Sequence, residues 1–526
     1  MSVIRQAKHS LTGGVHLPEN KAQSSETDLQ ICPLPSQLMI PLNMHAGTDA
    51  KAIVSVGDKI KFGDNIAEAT GFISATIHSP VDGQIADICK RPVANRSELD
   101  ESVLIIDCKN DCNGSALATD NPKSKWLDQK PEQLLETIKL AGVVGLGGAG
   151  FPSHQKLHSS RSQSHTLLLN GAECEPFISC DDRTMRNYGS EVLEGALILS
   201  RSLDCQKIQI AIEDNKPEAI KSMALAIEQY QQSPLFDIEL EVIKIPTLYP
   251  SGGERQLIEI VTGKQVPSGS FPSALGYTVQ NVGTTLAVYE AVVINKPLID
   301  RIVTITGDAV KRPGNYRVII GTPIRHLLEF AGWDESKCNI LIHGGPMMGF
   351  PLADPDRPIS KISNCIIASS VKEFPEPLPE QPCIRCGQCA EVCPASLLPQ
   401  QLLWFSKSGE IDKAKKFKLL DCIECGACAY VCPSQIPLVD YYRFTKGELR
   451  AQSAAKIKSD IAKQRFDFRN QRLENEELAK QRLRKEKAKL RAEKAKNDSI
   501  DPNKQAVADA LARVQAKKKL RNETDV

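Results

Sequence analysis

The chain has 526 residues, 41% of them hydrophobic and 25% charged, the balance of a multidomain globular protein and not of a disordered or fibrous one. No apolar run reaches the ~20 residues a membrane span needs, and the start, MSVIRQAKHSLTGG, lacks the apolar core of a secretory leader, so the expected setting is cytoplasmic. The net charge of +1 conceals an asymmetry: residues 446–526 hold 23 Lys+Arg against 13 Asp+Glu, a basic tail on an acidic body that reads as an interaction segment or a solvated helix.

In chain order, the stretch from Cys32 to about Cys112 reads as short β-strands. Its turns fall at Gly57-Asp58, Gly63-Asp64 and Asp82-Gly83, pairs that supply hairpin geometry between alternating strands. The stretch resembles the barrel-sandwich hybrid of biotinyl and lipoyl carrier domains. It shows no clear attachment lysine at the hairpin, which implies a structural relative without a swinging arm. From Pro131 to about Leu298 amphipathic helices (LLETIKLAG, GSEVLEGALILSRSL, KPEAIKSMALAIEQY) alternate with apolar strands (HTLLLNGAE, CQKIQIAIED). That alternation predicts an α/β layer on a largely parallel sheet. From Arg301 to about Trp333 two strands flank a Gly-Pro turn and a helix follows, similar to the β-grasp domains known as SLBB. Residues 373–382, EFPEPLPEQP, read as an extended linker. The tail after Lys446 is charged, with apolar residues too sparse to bury a face, so an exposed helix or disorder is expected. Asp501-Pro502 is placed to cap and start a last short helix.

Eight of the 17 cysteines lie between Cys383 and Cys432. Cys383, Cys386, Cys389 and Cys393 spell C-x2-C-x2-C-x3-C, closed by Pro394. Cys422, Cys425, Cys428 and Cys432 repeat it 39 residues later, closed by Pro433. Three thiolates in a tight loop can wrap one face of an iron–sulfur cube, and the fourth then points away. In two-cluster ferredoxins that fourth thiolate ligates the other cluster. The expected sets are therefore Cys383, Cys386, Cys389 and Cys432 for one [4Fe–4S] cluster, and Cys422, Cys425, Cys428 and Cys393 for the second. A zinc site would usually show two separated C-x2-C pairs, and disulfides do not suit a reducing compartment. The remaining cysteines are expected to be mostly small buried hydrophobes.

Gly145-Leu-Gly-Gly-Ala-Gly150-Phe151-Pro152 follows the helix LLETIKLAG, with Lys156 beyond it. Such a turn lets backbone N–H groups approach a phosphate, with a lysine in reach of an anion. The GxGxxG spelling at Gly145, Gly147 and Gly150 follows a helix, which is the wrong context for a Rossmann fingerprint. The loop resembles the flavin-binding loop of the FMN subunit of respiratory complex I. That resemblance continues in order through Asn170-Gly-Ala-Glu173-Cys-Glu175-Pro176, Tyr249-Pro-Ser-Gly252-Gly253-Glu254 and Gln280-Asn281-Val282-Gly283-Thr284. It implies that Gly145, Gly147, Gly148, Gly150, Lys156, Asn170, Glu173 and Asn281 line FMN. Phe151, Glu175 and Glu254 would face NADH, with Phe151 offering a ring for stacking. Three positions depart from that family's pattern: Ala172 stands for an acid, Gly253 for a glutamate and Gln280 for an asparagine.

With the segment GGVHLPENK (13–21) in front and a Lys/Ala-rich tail behind, the whole order resembles the C subunits of Rnf-type (Rsx-type) ion-translocating electron-transport complexes of bacteria, over about residues 1–445. The expected fold is multidomain α/β and α+β. Its segments are an N-terminal piece (1–30), a barrel-sandwich-hybrid-like β domain (31–115), an FMN/NADH-binding α/β domain (116–299), an SLBB-like β-grasp (300–368), a two-cluster ferredoxin-like module (369–443) and the tail (444–526). The resemblance implies an oxidoreductase passing electrons between NADH, FMN and two [4Fe–4S] clusters, with no general acid or base. It implies a peripheral position on the cytoplasmic side of the cell inner membrane. It also implies partners: integral-membrane and flavin-bearing subunits that move ions, and a ferredoxin-like subunit. His16, His45 and His343 are expected to be structural, and nucleic-acid binding is not expected. Two alternatives stay open: a flavoprotein subunit of a soluble bifurcating hydrogenase or formate dehydrogenase, and a cluster relay that binds no nucleotide.

Overall fold

The computed structural model describes residues 3–97, 99–109, 126–232, 234–235, 237–498 and 502–522. Cys112 and Asp501, and with Asp501 the cap expected of it, lie outside these. Two compact units divide the chain, 1–446 and 447–526.

The first unit is built on four sheets. The β-rich domain folds as two of them. One has the strand order Gln37–Pro41, Asp100–Cys108, Gly83–Pro92, Lys59–Ile60, and the other pairs Lys51–Ala52, Asn65–Glu68 and Ile77–His78. The two Gly-Asp turns are built alike. Gly57 and Gly63 take φ of +92° and +83°, and each following aspartate accepts a backbone N–H three residues back, Asp58 from Ser55 and Asp64 from Lys61, both at 2.8 Å. Leu38, Ile40, Ile66, Ile85, Leu104 and Ile106 fill the interior, on alternate positions of their strands.

The α/β domain carries a five-stranded parallel sheet in the order Ile4–Gln6, Glu239–Ile245, Lys207–Glu213, Thr166–Gly171, Tyr277–Asn281. Thr166–Gly171 and Lys207–Glu213 are buried along nearly their whole length because helices cover the sheet. Gly189–Leu203 and Val282–Val293 pack in the same core as Leu167, Leu169, Ile208 and Ile210. All these strands are parallel, so their C-terminal ends lie along one edge. Asn170, Glu213, Thr247 and Asn281 sit at or just beyond that edge, where open α/β sheets bind ligands. The edge strand Ile4–Gln6 comes from the N-terminal segment and pairs with Val242–Lys244. No local pattern announces that pairing.

Asp300–Thr306 and Gly314–Ile319 form the expected antiparallel pair, followed by the helix Ile324–Phe330. They belong to a six-stranded sheet whose outer strand is Gln30–Ile31, again from the N-terminal segment. Residues 376–386 contain no helix or strand, as the proline-rich linker predicts. His343 is buried against Ser363, and burial holds its ring neutral, with a pKa of about 4. His45 is likewise buried, against Ser74, at about 4. Both roles are structural.

One helix spans Leu438–Asp498, and its residues up to Lys446 close the first unit. In the second unit the helix continues with Ile457, Phe466, Phe468, Leu483 and Leu490 all exposed, and a further helix runs Pro502–Asn522. No helix among the described residues is long and apolar enough to cross a membrane.

Candidate functional site

The Gly-rich loop is a tight hairpin between the helices Pro131–Leu140 and Ser153–Ser160. Gly145 N–H donates to Phe151 O at 2.8 Å, and Leu146 N–H donates to the Thr284 hydroxyl at 2.8 Å. Gly150 (φ +63°) packs on the β-rich domain, where Ala46 N–H donates to its carbonyl at 3.0 Å. Gly147 lies over Asn281, so close that a Cβ there would sit 3.1 Å from the asparagine Cβ. At Gly148 (φ +150°) a Cβ would meet nothing within 4 Å, so the loop opens to solvent at its crown. Phe151 is 37% exposed beside it. Lys156, one turn into the following helix, pairs with Glu254.

Two segments leave the strand ends opposite this loop, and they are tied to each other. Asn170 Nδ2 donates to Gly252 O at 2.8 Å, and Gly252 N–H donates to Cys174 Sγ at 3.3 Å. Asn281 caps the helix Val282–Val293, its Oδ1 accepting from Gly283 and Thr284 N–H at 2.9 and 3.2 Å, and its Nδ2 donating to Asp181 at 2.6 Å. Glu173 spends its carboxylate on the start of another helix, accepting from Asp181 and Asp182 N–H at 2.6 and 3.1 Å. Burial, and then the Glu173 charge, push the Asp181 carboxyl up to about 7. The Glu175 carboxylate is turned toward the SLBB-like domain and accepts from Met347 and Met348 N–H at 3.2 and 2.7 Å; burial raises it to about 7. Loop glycines, Lys156, Asn170, Glu173, Glu254 and Asn281 thus gather at one edge, while Glu175 joins that edge to the neighbouring domain.

Two of the departures from the complex I pattern, at Gly253 and Ala172, have tight surroundings. A Cβ at Gly253 would collide with the Gln256 carboxamide, which reaches on to Pro394 O at 3.4 Å. Ala172 is fully buried behind Gly252, with no room for an acid.

The cysteine repeat folds as two copies of one backbone. Arg385 and Glu424 both take φ +59°, Gly387 and Gly426 take +85° and +81°, and Ser396 and Gln435 take +51° and +53°. A single helical turn follows each glycine, Gln388–Glu391 and Ala427–Tyr430. Between the copies lie two cavities. Cys383, Cys386, Cys389 and Cys432 line one; Cys393, Cys422, Cys425 and Cys428 line the other, with Pro394, Leu397, Leu402, Val439 and Tyr442. Burial pushes the Cys425 thiol up to about 12, so an ionised quartet here needs a cationic partner. Four thiols around an apolar space of this kind fit an iron–sulfur cluster, and at the loop crown the space around Gly148 is open.

The second cavity lies against the α/β domain. Tyr249 OH donates to Cys425 O at 2.6 Å, Gly14 N–H donates to Val392 O at 2.9 Å, and Val15 packs with Tyr249, Cys425 and Ala427. The first cavity faces outward, with Cys386 and Ile384 exposed. Sequence reasoning did not single out the Tyr249 hydroxyl, Gln256 or Val15. The only signal for them was their place in or beside the quoted motifs, because each acts through a contact more than a hundred residues away.

Four family models match along the chain. The Nuo51 FMN-binding domain matches residues 138–290, the RnfC barrel sandwich hybrid domain 9–111, the SLBB domain 302–351 and the 4Fe-4S dicluster domain 382–436. The chain therefore carries an FMN-binding domain and a dicluster iron–sulfur domain in one α/β and α+β assembly. The C subunit of an ion-translocating oxidoreductase complex from Pectobacterium carotovorum is 46% identical over 89% of this chain and 61% of its own length. The corresponding C subunits of Cronobacter sakazakii and Yersinia enterocolitica are 44% identical over 98% and 89% of this chain and 64% and 65% of theirs. The chain thus spans just under two thirds of the length of these relatives. An NAD+-reducing [NiFe]-hydrogenase structure aligns at 21% identity and a TM-score of 0.44, over 56% of this chain and 55% of that one.

Proposed function

This chain belongs to the family of C subunits of ion-translocating oxidoreductase complexes, and from that premise we propose that it is the electron-input subunit of such a complex. In this reading it takes electrons from NADH, through FMN, to two [4Fe–4S] clusters. A flavin converts the electron pair of a hydride into single electrons, and iron–sulfur clusters carry those one at a time. The observation that supports the reading best is the Tyr249–Cys425 hydrogen bond. It joins the strand-end edge that carries the flavin-type motifs directly to one cysteine quartet.

The residues divide the work accordingly. Backbone N–H groups of Gly147 and Gly148 would receive a phosphate, with Lys156 beside them. Glu173 and Asn281 hold the helix starts that wall the flavin, and Phe151 offers a ring to the nucleotide. Cys393, Cys422, Cys425 and Cys428 would hold the inner cluster, and Cys383, Cys386, Cys389 and Cys432 the outer one. Electrons would then run from flavin to inner cluster, to outer cluster, and out through the exposed face at Cys386. Their acceptor would be a ferredoxin-like partner subunit. Ion movement is assigned to integral-membrane partners, and the chain to the cytoplasmic face of the inner membrane as a peripheral subunit. The buried Cys425 and Cys428 would shield one side of the inner cluster from water.

Anaerobic reconstitution of the full chain with iron, sulfide and FMN tests the reading. About eight irons and one flavin per chain are expected, with the flavin band bleaching on addition of NADH. A cluster-loaded, flavin-loaded protein that NADH leaves unbleached would return the nucleotide-free relay instead.

A further inference from the structure

Beneath the flavin-type segments lies a buried charged cluster that the motifs do not contain. Glu213 ends the strand Lys207–Glu213, which lies between the strands leading to Asn170 and to Thr247. Its side chain has no exposure, and that of Lys216 is 3% exposed. Glu213 Oε2 accepts from Lys216 Nζ at 2.6 Å, and Oε1 accepts from the Ser251 hydroxyl at 2.9 Å. Lys216 Nζ also donates to the Ala172 carbonyl at 2.7 Å and to Asn215 Oδ1 at 3.1 Å. Every ammonium proton and both carboxylate oxygens are therefore committed to fixed neighbours. From the N-terminal segment, Lys21 Nζ donates to the carbonyls of Glu173 and Ile178 at 2.5 and 2.7 Å.

A buried ion pair is a poor way to gain stability, since desolvation offsets most of its attraction. What this pair does achieve is a bridge. One carboxylate links the Ala172 segment, through Lys216, to the Ser251 segment. These are the two segments whose flanking residues, Asn170, Glu173 and Glu254, carry the flavin-type motifs. We infer that Glu213 and Lys216 are positioning residues of the flavin site. They set the separation of its two walls through the Ala172 carbonyl and the Ser251 hydroxyl, and Lys21 braces the outer end of the same wall. The inference rests on the FMN reading proposed above.

The test uses the full chain, reconstituted anaerobically with its clusters and stripped of flavin, titrated with FMN by fluorescence quenching. The parent is measured first; if it binds no FMN, the flavin reading fails before any variant is made, and this inference falls with it. The double variant Glu213→Gln/Lys216→Met keeps the volume and leaves no unpaired buried charge. Given parent-like circular dichroism and cluster EPR, its FMN Kd is expected to rise on the order of tenfold or more, because the charged bridge from the Ala172 carbonyl through Lys216 and Glu213 to the Ser251 hydroxyl is gone. A merely structural role would lower the melting temperature of the flavin-free protein and leave the Kd of the folded protein unchanged, and that result would overturn the inference. Ser251→Ala cuts one arm only and carries the test if the double variant does not fold. A severalfold weaker Kd is expected for it, and a parent-like Kd overturns the inference.

Discussion

The two cysteine repeats share a spacing, a backbone and a set of positive-φ residues, yet they occupy unlike surroundings. Cys425 and Cys428 of the second copy are buried, Cys425 packed with Val15, Tyr249 and Met347; Cys386 of the first is exposed, beside exposed Ile384. Sequence symmetry therefore produces two similar sulfur cages, and the packing of the α/β domain onto one of them makes the pair unequal. A relay needs such a difference, because a cluster that receives electrons internally and one that passes them on require different neighbours.

The sharpest way to break this comparison is to remove one cluster at a time. Cys425→Ser is expected to lower iron from about eight to about four per chain and to abolish NADH-dependent reduction of the remaining cluster. Cys386→Ser should lose iron equally and keep an NADH-reducible inner cluster, read by EPR after anaerobic NADH addition. Equal NADH responses in the two variants would refute the assigned order.

A smaller difference is expected from the paired glycines. Gly387→Ala costs about 1 kcal/mol for placing a side chain in the left-handed region, and its Cβ meets nothing within 4 Å. Gly426→Ala carries the same strain and also sets a Cβ 3.1 Å from the Met347 carbonyl, so its melting temperature should fall further. Tyr249→Phe leaves the Cys425 carbonyl without its donor, a loss of about 1–3 kcal/mol at a buried site. The expected outcome is severalfold slower cluster reduction by NADH in stopped-flow, at unchanged iron content.

The mildest effect concerns pH. Burial raises Glu175 from 4.5 to about 7 where it accepts from the Met347–Met348 backbone beside the inner cage. The folded protein keeps a proton that the unfolded chain releases at lower pH. Stability contributed here is thus fully present below about 4.5, falls as pH rises toward about 7, and is level above. Glu175→Gln should remove that decline, shifting the melting temperature at pH 8 relative to pH 5 by on the order of a few degrees. An unchanged pH slope would show that folding does not make Glu175 retain its proton.

Much of this was legible in the chain itself where the chemistry is local. Ligand spacing in a cubane loop is set within eleven residues, so the pattern from Cys383 to Cys393 and its repeat announced the cages before any fold was seen. Turn residues such as Gly57-Asp58 and Gly63-Asp64 act on their own backbone, and alternating helices and apolar strands signal a parallel sheet wherever they occur. The Gly145–Pro152 loop was legible as a tight glycine-rich turn for the same reason.

Tertiary structure alone decided three things. It joined Ile4–Gln6 to the α/β sheet and Gln30–Ile31 to the β-grasp sheet, so the N-terminal segment serves two domains that lie far along the chain. It turned Glu175 to the Met347 loop and drew Gln256 past Gly253 to the Pro394 carbonyl. And it chose which of two equivalent cages lies inside, through Tyr249 and Val15. Each of these contacts spans more than a hundred residues of sequence, where no turn preference or periodicity reaches. They arise only when whole domains bury their faces against one another.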